Sequence, residues 1–267
     1  MGRKPMFLAL TWVMLLLGFV FWGCGGNGGV GDDSAGGGDG AAGGSSGTGS
    51  TSGSAILADH TTLDIDQIPQ SVLDAARALL MSLDHASVGQ NIHDGMDDLE
   101  TSDSARYAYP NWDWRARGNP GWQAKVDQFV SWVSGNADDY DVFQMKFCFI
   151  DDQAQWDYYR DAMLDLESTY PGKVFIWWTM PITTSGSADR DAFNAQVRSF
   201  CVDNDKPLYD IAAIESHDPS GTAVRNNGYE AMYSGYTSDG GHLNASGRLR
   251  AAQGMWWIMA RVAGWQP

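Results

Sequence analysis

The sequence predicts an α/β protein, a three-layer α/β/α sandwich around a parallel sheet. Three observations carry this. Short apolar runs alternate with segments of helical spacing from about residue 69 to residue 263. The strand-like runs are apolar nearly throughout, as strands covered on both faces are. Finally, 267 residues with 43% hydrophobic and 12% aromatic content suffice for one large core.

In chain order, Val72, Ala75, Ala76 and Leu79 give residues 69–78 a helical stripe. Residues 78–83 follow as an apolar strand ending at Asp84-His85-Ala86-Ser87. Ile92, Met96 and Leu99 place a helix over 88–99. Residues 107–122 read as a loop, with Pro110, Gly118, Pro120 and Gly121 among Trp112, Trp114 and Trp122. A helix is expected over 123–133, a buried strand over 141–150 and a helix over 155–169. A strand over 173–180, stopped by Pro181, is followed by a helix over 189–204 and a strand over 208–214. The chain closes with a helix over 245–263, capped by Asn244 and ended by Gly264. Ligand chemistry in such sheets gathers at the carboxyl ends of the strands. Ser87 stands there, and Asp239 and His242 lie just before the last helix.

The first 24 residues read as an address. Arg3 and Lys4 precede an uncharged apolar run over 6–22 that stops at Gly23-Cys24. This resembles a bacterial lipoprotein signal with lipid attachment at Cys24, although Phe21 stands where such signals usually carry Leu; an uncleaved signal anchor is the alternative. Residues 25–54, nearly all Gly, Ser, Ala, Thr and Asp, cannot offset their ordering entropy by burial and form a tether with a reach of about 30 Å. The folded part is then 55–267, secreted across the inner membrane, held to a membrane by its N-terminal lipid on the periplasmic or cell-surface side, and monomeric. An oxidising compartment would let Cys148 and Cys201 pair; two buried thiols are the other reading. The formal net charge of −16 excludes a nucleic-acid partner.

The most specific motif is the run Thr237-Ser238-Asp239-Gly240-Gly241-His242-Leu243-Asn244-Ala245-Ser246-Gly247. A Gly-rich turn with Asp and His three apart lets a carboxylate hold one imidazole nitrogen while the other faces a cleft. It resembles the last sequence block of the SGNH (GDSL-type) hydrolases. That resemblance implies a flavodoxin-like sheet, an ester-cleaving triad of Ser87, His242 and Asp239, and no cofactor. His85-Ala86-Ser87-Val88-Gly89 occupies the nucleophile block, keeping the serine and changing both predecessors. Ser87 with Gln90 also has the form of a helix capping box.

The second block, an oxyanion glycine, falls on Gly118-Asn119-Pro120-Gly121, with Gly121 as the donor beside the Ser87 amide. The third block, normally Gly-x-Asn-Asp, is replaced by Cys148-Phe149-Ile150-Asp151. Its amide donor is missing, and Asn119 and Lys146 are the candidate substitutes. Lys146 is otherwise a strand-end lysine reaching solvent. His85 is a candidate substrate contact or a structural histidine. His60, His93 and His217 show no metal-ligand spacing, so no metal is expected. Trp132, Trp156, Trp177, Trp178, Trp256 and Trp257 read as core, whereas Trp112, Trp114 and Trp122 read as a sugar-stacking surface. The substrate so implied is an acyl ester, short-chain or O-acetyl, on a polysaccharide. A surface carbohydrate-binding protein that has lost turnover is the alternative from another class, and an acyl transferase would use the same triad.

Overall fold

Strands with apolar side chains on both faces need cover on both faces, and the computed structural model supplies it. It describes residues 56–267; the signal-like segment, Cys24 and the tether lie outside the described residues. The elements are β1 Leu57–Ala58, α1 Gln70–Ala78, β2 Met81–His85, α2 Val88–Ser102, α3 Ser104–Tyr107, β3 Trp112–Ala116, α4 Trp122–Asn136 and β4 Val142–Met145. They continue with α5 Trp156–Thr169, β5 Val174–Trp178, α6 Ala188–Asp203, β6 Leu208–Tyr209, α7 Ile211–Ser216, the hairpin β7 Arg225–Asn226 and β8 Tyr229–Glu230, and α8 Ala245–Val262.

Six strands form one sheet in the order β1-β6-β5-β4-β2-β3, every pair parallel. Counted from β2, five of them run 2-1-3-4-5, the flavodoxin-like order, and β1 extends the far edge. The chain therefore reverses direction across the sheet at β2, which places the expected crevice at the tip of the strand leading to Ser87. One face is covered by α1, α2 and α8, whose Leu73, Ile92, Met96, Met255 and Trp256 share a buried cluster with Met81 and Leu83. The other face is covered by α4, α5 and α6, where Phe129, Met163 and Val197 pack on Phe143, Phe175 and Trp177. The sandwich is thus three-layered.

Three expectations change, and of the two readings of the cysteines the buried thiols hold. Residues 112–116, read as loop, form the edge strand β3: Trp112 and Trp114 turn toward the α1–α2–α8 cluster while Asp113 and Arg115 alternate onto the other face, where Arg115 pairs with Asp84 and lies over Trp132. The strand expected over 141–150 ends at Met145, and that over 208–214 ends at Tyr209, because Asp210 accepts a hydrogen bond from the Ala213 amide and starts α7. Cys148 and Cys201 are free buried thiols; Cys201 packs on the α6 face of the sheet with Val197 and Leu208, while Cys148 belongs to the loop after β4. At α8 the cap is made as expected, Asn244 Oδ1 accepting from the Ser246 and Gly247 amides, and Gly264 follows with a φ of 96°.

Candidate active site

The turn between β2 and α2 is strained. Ser87 has φ 56° and ψ −112°, a region that disfavours any side chain and costs about 1–3 kcal/mol. Such strain persists where a sharp strand-to-helix turn presents a serine at the sheet's edge. The capping box is not formed: Ser87 gives no side-chain hydrogen bond to the helix, and Gln90 bonds Asp94 instead. Ser87 Oγ lies 2.6 Å from His242 Nε2.

His242 belongs to a turn that organises itself. Asp239 Oδ1 accepts from the amides of Gly241 (2.9 Å) and His242 (2.8 Å), leaving Oδ2 to accept from His242 Nδ1 at 2.7 Å. Gly240 takes a φ of 90°, which lets the backbone fold back over the carboxylate. The same contacts hold the Asp239 carboxyl well below the usual carboxylate range, first through the His242 amide, then the Gly241 amide and the imidazole. Asp239 is therefore an anion across the physiological range and fixes Nε2 as the nitrogen that meets Ser87. His242 is exposed, with Phe149 edge-on at 5.3 Å.

Among the described residues, no hydrogen bond uses the amide of Ser87 or of Val88, whereas Gly89, Gln90 and Asn91 donate to the carbonyls of Ala86 and Ser87. Two amides at the start of a fifteen-residue helix are thus available to an anion beside Ser87 Oγ. Gly121 and Asn119 sit in the exposed loop between β3 and α4. That loop starts beside the tip of β2, where the Arg117 amide donates to the His85 carbonyl (3.1 Å), but no hydrogen bond among the described residues joins Asn119 or Gly121 to Ser87 or His242.

The loop after β4 differs most from expectation. Lys146 is fully buried, not solvent-reaching, and its Nζ donates to the Phe147 carbonyl at 2.8 Å. Burial pulls its pKa down to about 8. Asp151 pairs with the buried Lys125 and accepts from the Cys148 amide at 2.7 Å, so its charge is answered inside the protein. Arg117 reaches from the tip of β3 to the Lys146 carbonyl across the tip of β2. Arg190 donates to the Phe149 carbonyl (2.6 Å), to Thr183 Oγ1 and to the Ser185 carbonyl, joining this loop to the one after β5.

The residues proposed for substrate contact are not gathered at the triad. His85 is buried beneath the turn, where desolvation pulls its pKa down to about 4 and keeps it neutral. Trp112 is buried and donates to the Ala76 carbonyl. Trp114 stacks on His93 at 4.8 Å and packs against the core, and Trp122 meets Tyr158 edge-to-face on the α4–α5 side. The cleft beside His242, about 320 Å³, is lined instead by Phe149, Thr183, Thr184, Ser185 and the 239–242 turn. Alternation in Trp112-Asp113-Trp114-Arg115 was the available signal for an inward-facing strand; nothing local announced Phe149, Arg190 or the Val88 amide.

No family model matches the chain, and no curated protein matches it. Among solved structures it is similar to a candidate acylhydrolase from Bacteroides fragilis, with TM-score 0.50 and 11% identity, covering 75% of this chain and 98% of that one. A candidate lipolytic protein of the G-D-S-L family from Desulfitobacterium hafniense is also similar, with TM-score 0.46 and 8% identity over 67% of this chain and 99% of that one. At such identities likeness speaks of architecture alone, and what the chain shares with the Bacteroides fragilis protein is its α/β fold around a parallel sheet.

Proposed function

We propose that the protein is a serine esterase that hydrolyses short acyl or O-acetyl esters with Ser87 as nucleophile, His242 as base and Asp239 as its anchor. The observation that carries the reading is the 2.6 Å contact between Ser87 Oγ and His242 Nε2, made by a serine in a strained turn whose side chain does not cap its helix. In the acylation step His242 takes the hydroxyl proton as Oγ bonds to the ester carbonyl carbon, and the carbonyl oxygen becomes an anion beside the Ser87 and Val88 amides. Collapse of this intermediate expels the alcohol, which receives the proton from His242. Water then repeats the sequence on the acyl-enzyme and releases the acid.

The alcohol side of the ester fits a hydroxyl-bearing group such as a sugar. The support is the polar cleft of Thr183, Thr184 and Ser185 with Phe149 as its one aromatic wall, since the three loop tryptophans do not line it. The lipoprotein-like segment ending at Cys24 adds an extracytoplasmic, membrane-held location to the proposal. One observation favours a binding protein without turnover: the block-three loop offers no side-chain amide, and a missing oxyanion donor lowers kcat about 10²–10³-fold.

A fluorophosphonate probe separates the two. An esterase is labelled at Ser87, and labelling is lost in Ser87→Ala and falls steeply in His242→Ala. A folded protein that binds sugars and takes no label overturns the esterase reading.

A further inference from the structure

Asp239 and His242 are fixed to each other within one turn, but Ser87 comes from a segment 155 residues away in sequence. Something must hold the two pieces in register. Along α2, Asn91, Gly95 and Asp98 stand at i, i+4 and i+7 and so share one helical face, which meets the start of α8. A Cβ at Gly95 would lie 2.3 Å from the Arg248 carbonyl oxygen, so glycine is what lets the two helices approach. The Asp98 carboxylate accepts both Arg248 Nε (2.7 Å) and Nη2 (3.0 Å). These two contacts clamp helix to helix, and neither reaches the turn that carries the base.

Asn91 does. Its amide nitrogen donates to the Ser87 carbonyl at 3.3 Å, and its side-chain Oδ1 accepts from the Leu243 amide at 3.1 Å. Leu243 directly follows His242 and is buried, so that amide has no solvent to turn to. A single residue is hydrogen-bonded to the nucleophile on one side and to the neighbour of the base on the other.

We propose that Asn91 is a positioning residue that sets the Ser87–His242 separation, an assignment that rests on the esterase reading above. It touches neither substrate nor reacting atoms. Its effect is to hold Nε2 in line with Oγ, where a displacement of about 1 Å lowers the rate about 10²-fold.

The test is steady-state hydrolysis of p-nitrophenyl acetate by the full chain and two variants of nearly equal size, Asn91→Leu, which cannot accept the Leu243 N–H, and Asn91→Asp, which can. The expected result for Asn91→Leu is a kcat lowered about 10²-fold, with KM within about twofold and a two-state melt like the parent's. Asn91→Asp should recover most of that loss. A kcat for Asn91→Leu equal to the parent's overturns the assignment, as does an equal fall in both variants. A parent that neither turns over nor labels at Ser87 overturns the esterase reading and this assignment with it. A parent that is active while both variants match it removes Asn91 alone.

Discussion

The turn at 237–243 and the loop at 146–151 flank the same cleft and are built in opposite ways. In the turn, carboxylate, imidazole and both bonded amides come from four consecutive residues, 239–242. The loop is held by residues from three other segments: Arg117 on the Lys146 carbonyl, Lys125 on Asp151 and Arg190 on the Phe149 carbonyl. A motif that closes on itself can be solvent-exposed and still precise. A loop that carries buried charges must be cross-braced, and those charges answered from elsewhere in the chain. Damage to the first region should therefore appear in rate without loss of stability, and damage to the second in stability.

The sharpest separation comes from Asp239→Asn. The amide can still accept from the Gly241 and His242 backbone, but it no longer stabilises a protonated imidazole or selects its tautomer. kcat should fall about 10⁴-fold, while the melting temperature stays at the parent value because Asp239 is exposed. A large loss of stability in this variant would break the comparison.

Asp151→Ala tests the other region. It strands Lys125, which has no exposed surface, and leaves the Cys148 amide without its acceptor. Breaking a buried ion pair from one side costs about 3–5 kcal/mol, which for a domain of this size lowers the melting temperature by about 10 °C. Adding Lys125→Met to it should recover much of the loss, since the stranded charge is then gone. Thermal unfolding of the single and double variants is the measurement; an unchanged melt in Asp151→Ala would mean that the pair contributes nothing.

The same difference governs what the sequence disclosed. Asp239 and His242 were legible because their geometry is written in three residues of spacing, and Asn244 because a cap acts on the next three. The alternation of strands and helices gave the layers, and the placement of Ser87 after the first long strand marked it as the candidate nucleophile. Trp112 and Trp114 were misplaced because neighbouring prolines and glycines outweighed a five-residue alternation. Lys146 was misread because its surroundings are set by Arg117, Lys125 and Glu215, which come from three separate segments. No local pattern encodes such a partner.

Glu215 offers the smallest and most selective check on that buried charge layer. It lies in α7, 1% exposed, with Oε2 accepting from the Ile182 amide at 2.7 Å. Burial pushes its pKa up to about 8, against smaller opposing effects of the Ile182 N–H, Lys146 and Arg190. The folded state thus binds this proton more tightly than the unfolded chain. The resulting stabilisation is complete below the ordinary carboxyl range near pH 4.5 and is lost as pH rises toward 8. Glu215→Gln keeps an oxygen for Ile182 and removes the titration. Its melting temperature should match or trail the parent's at pH 5 and overtake it by several degrees at pH 8. Parallel melting curves from pH 5 to 8 would mean that the Glu215 proton is not held by burial, and that the layer beneath the site is less dry than its packing implies.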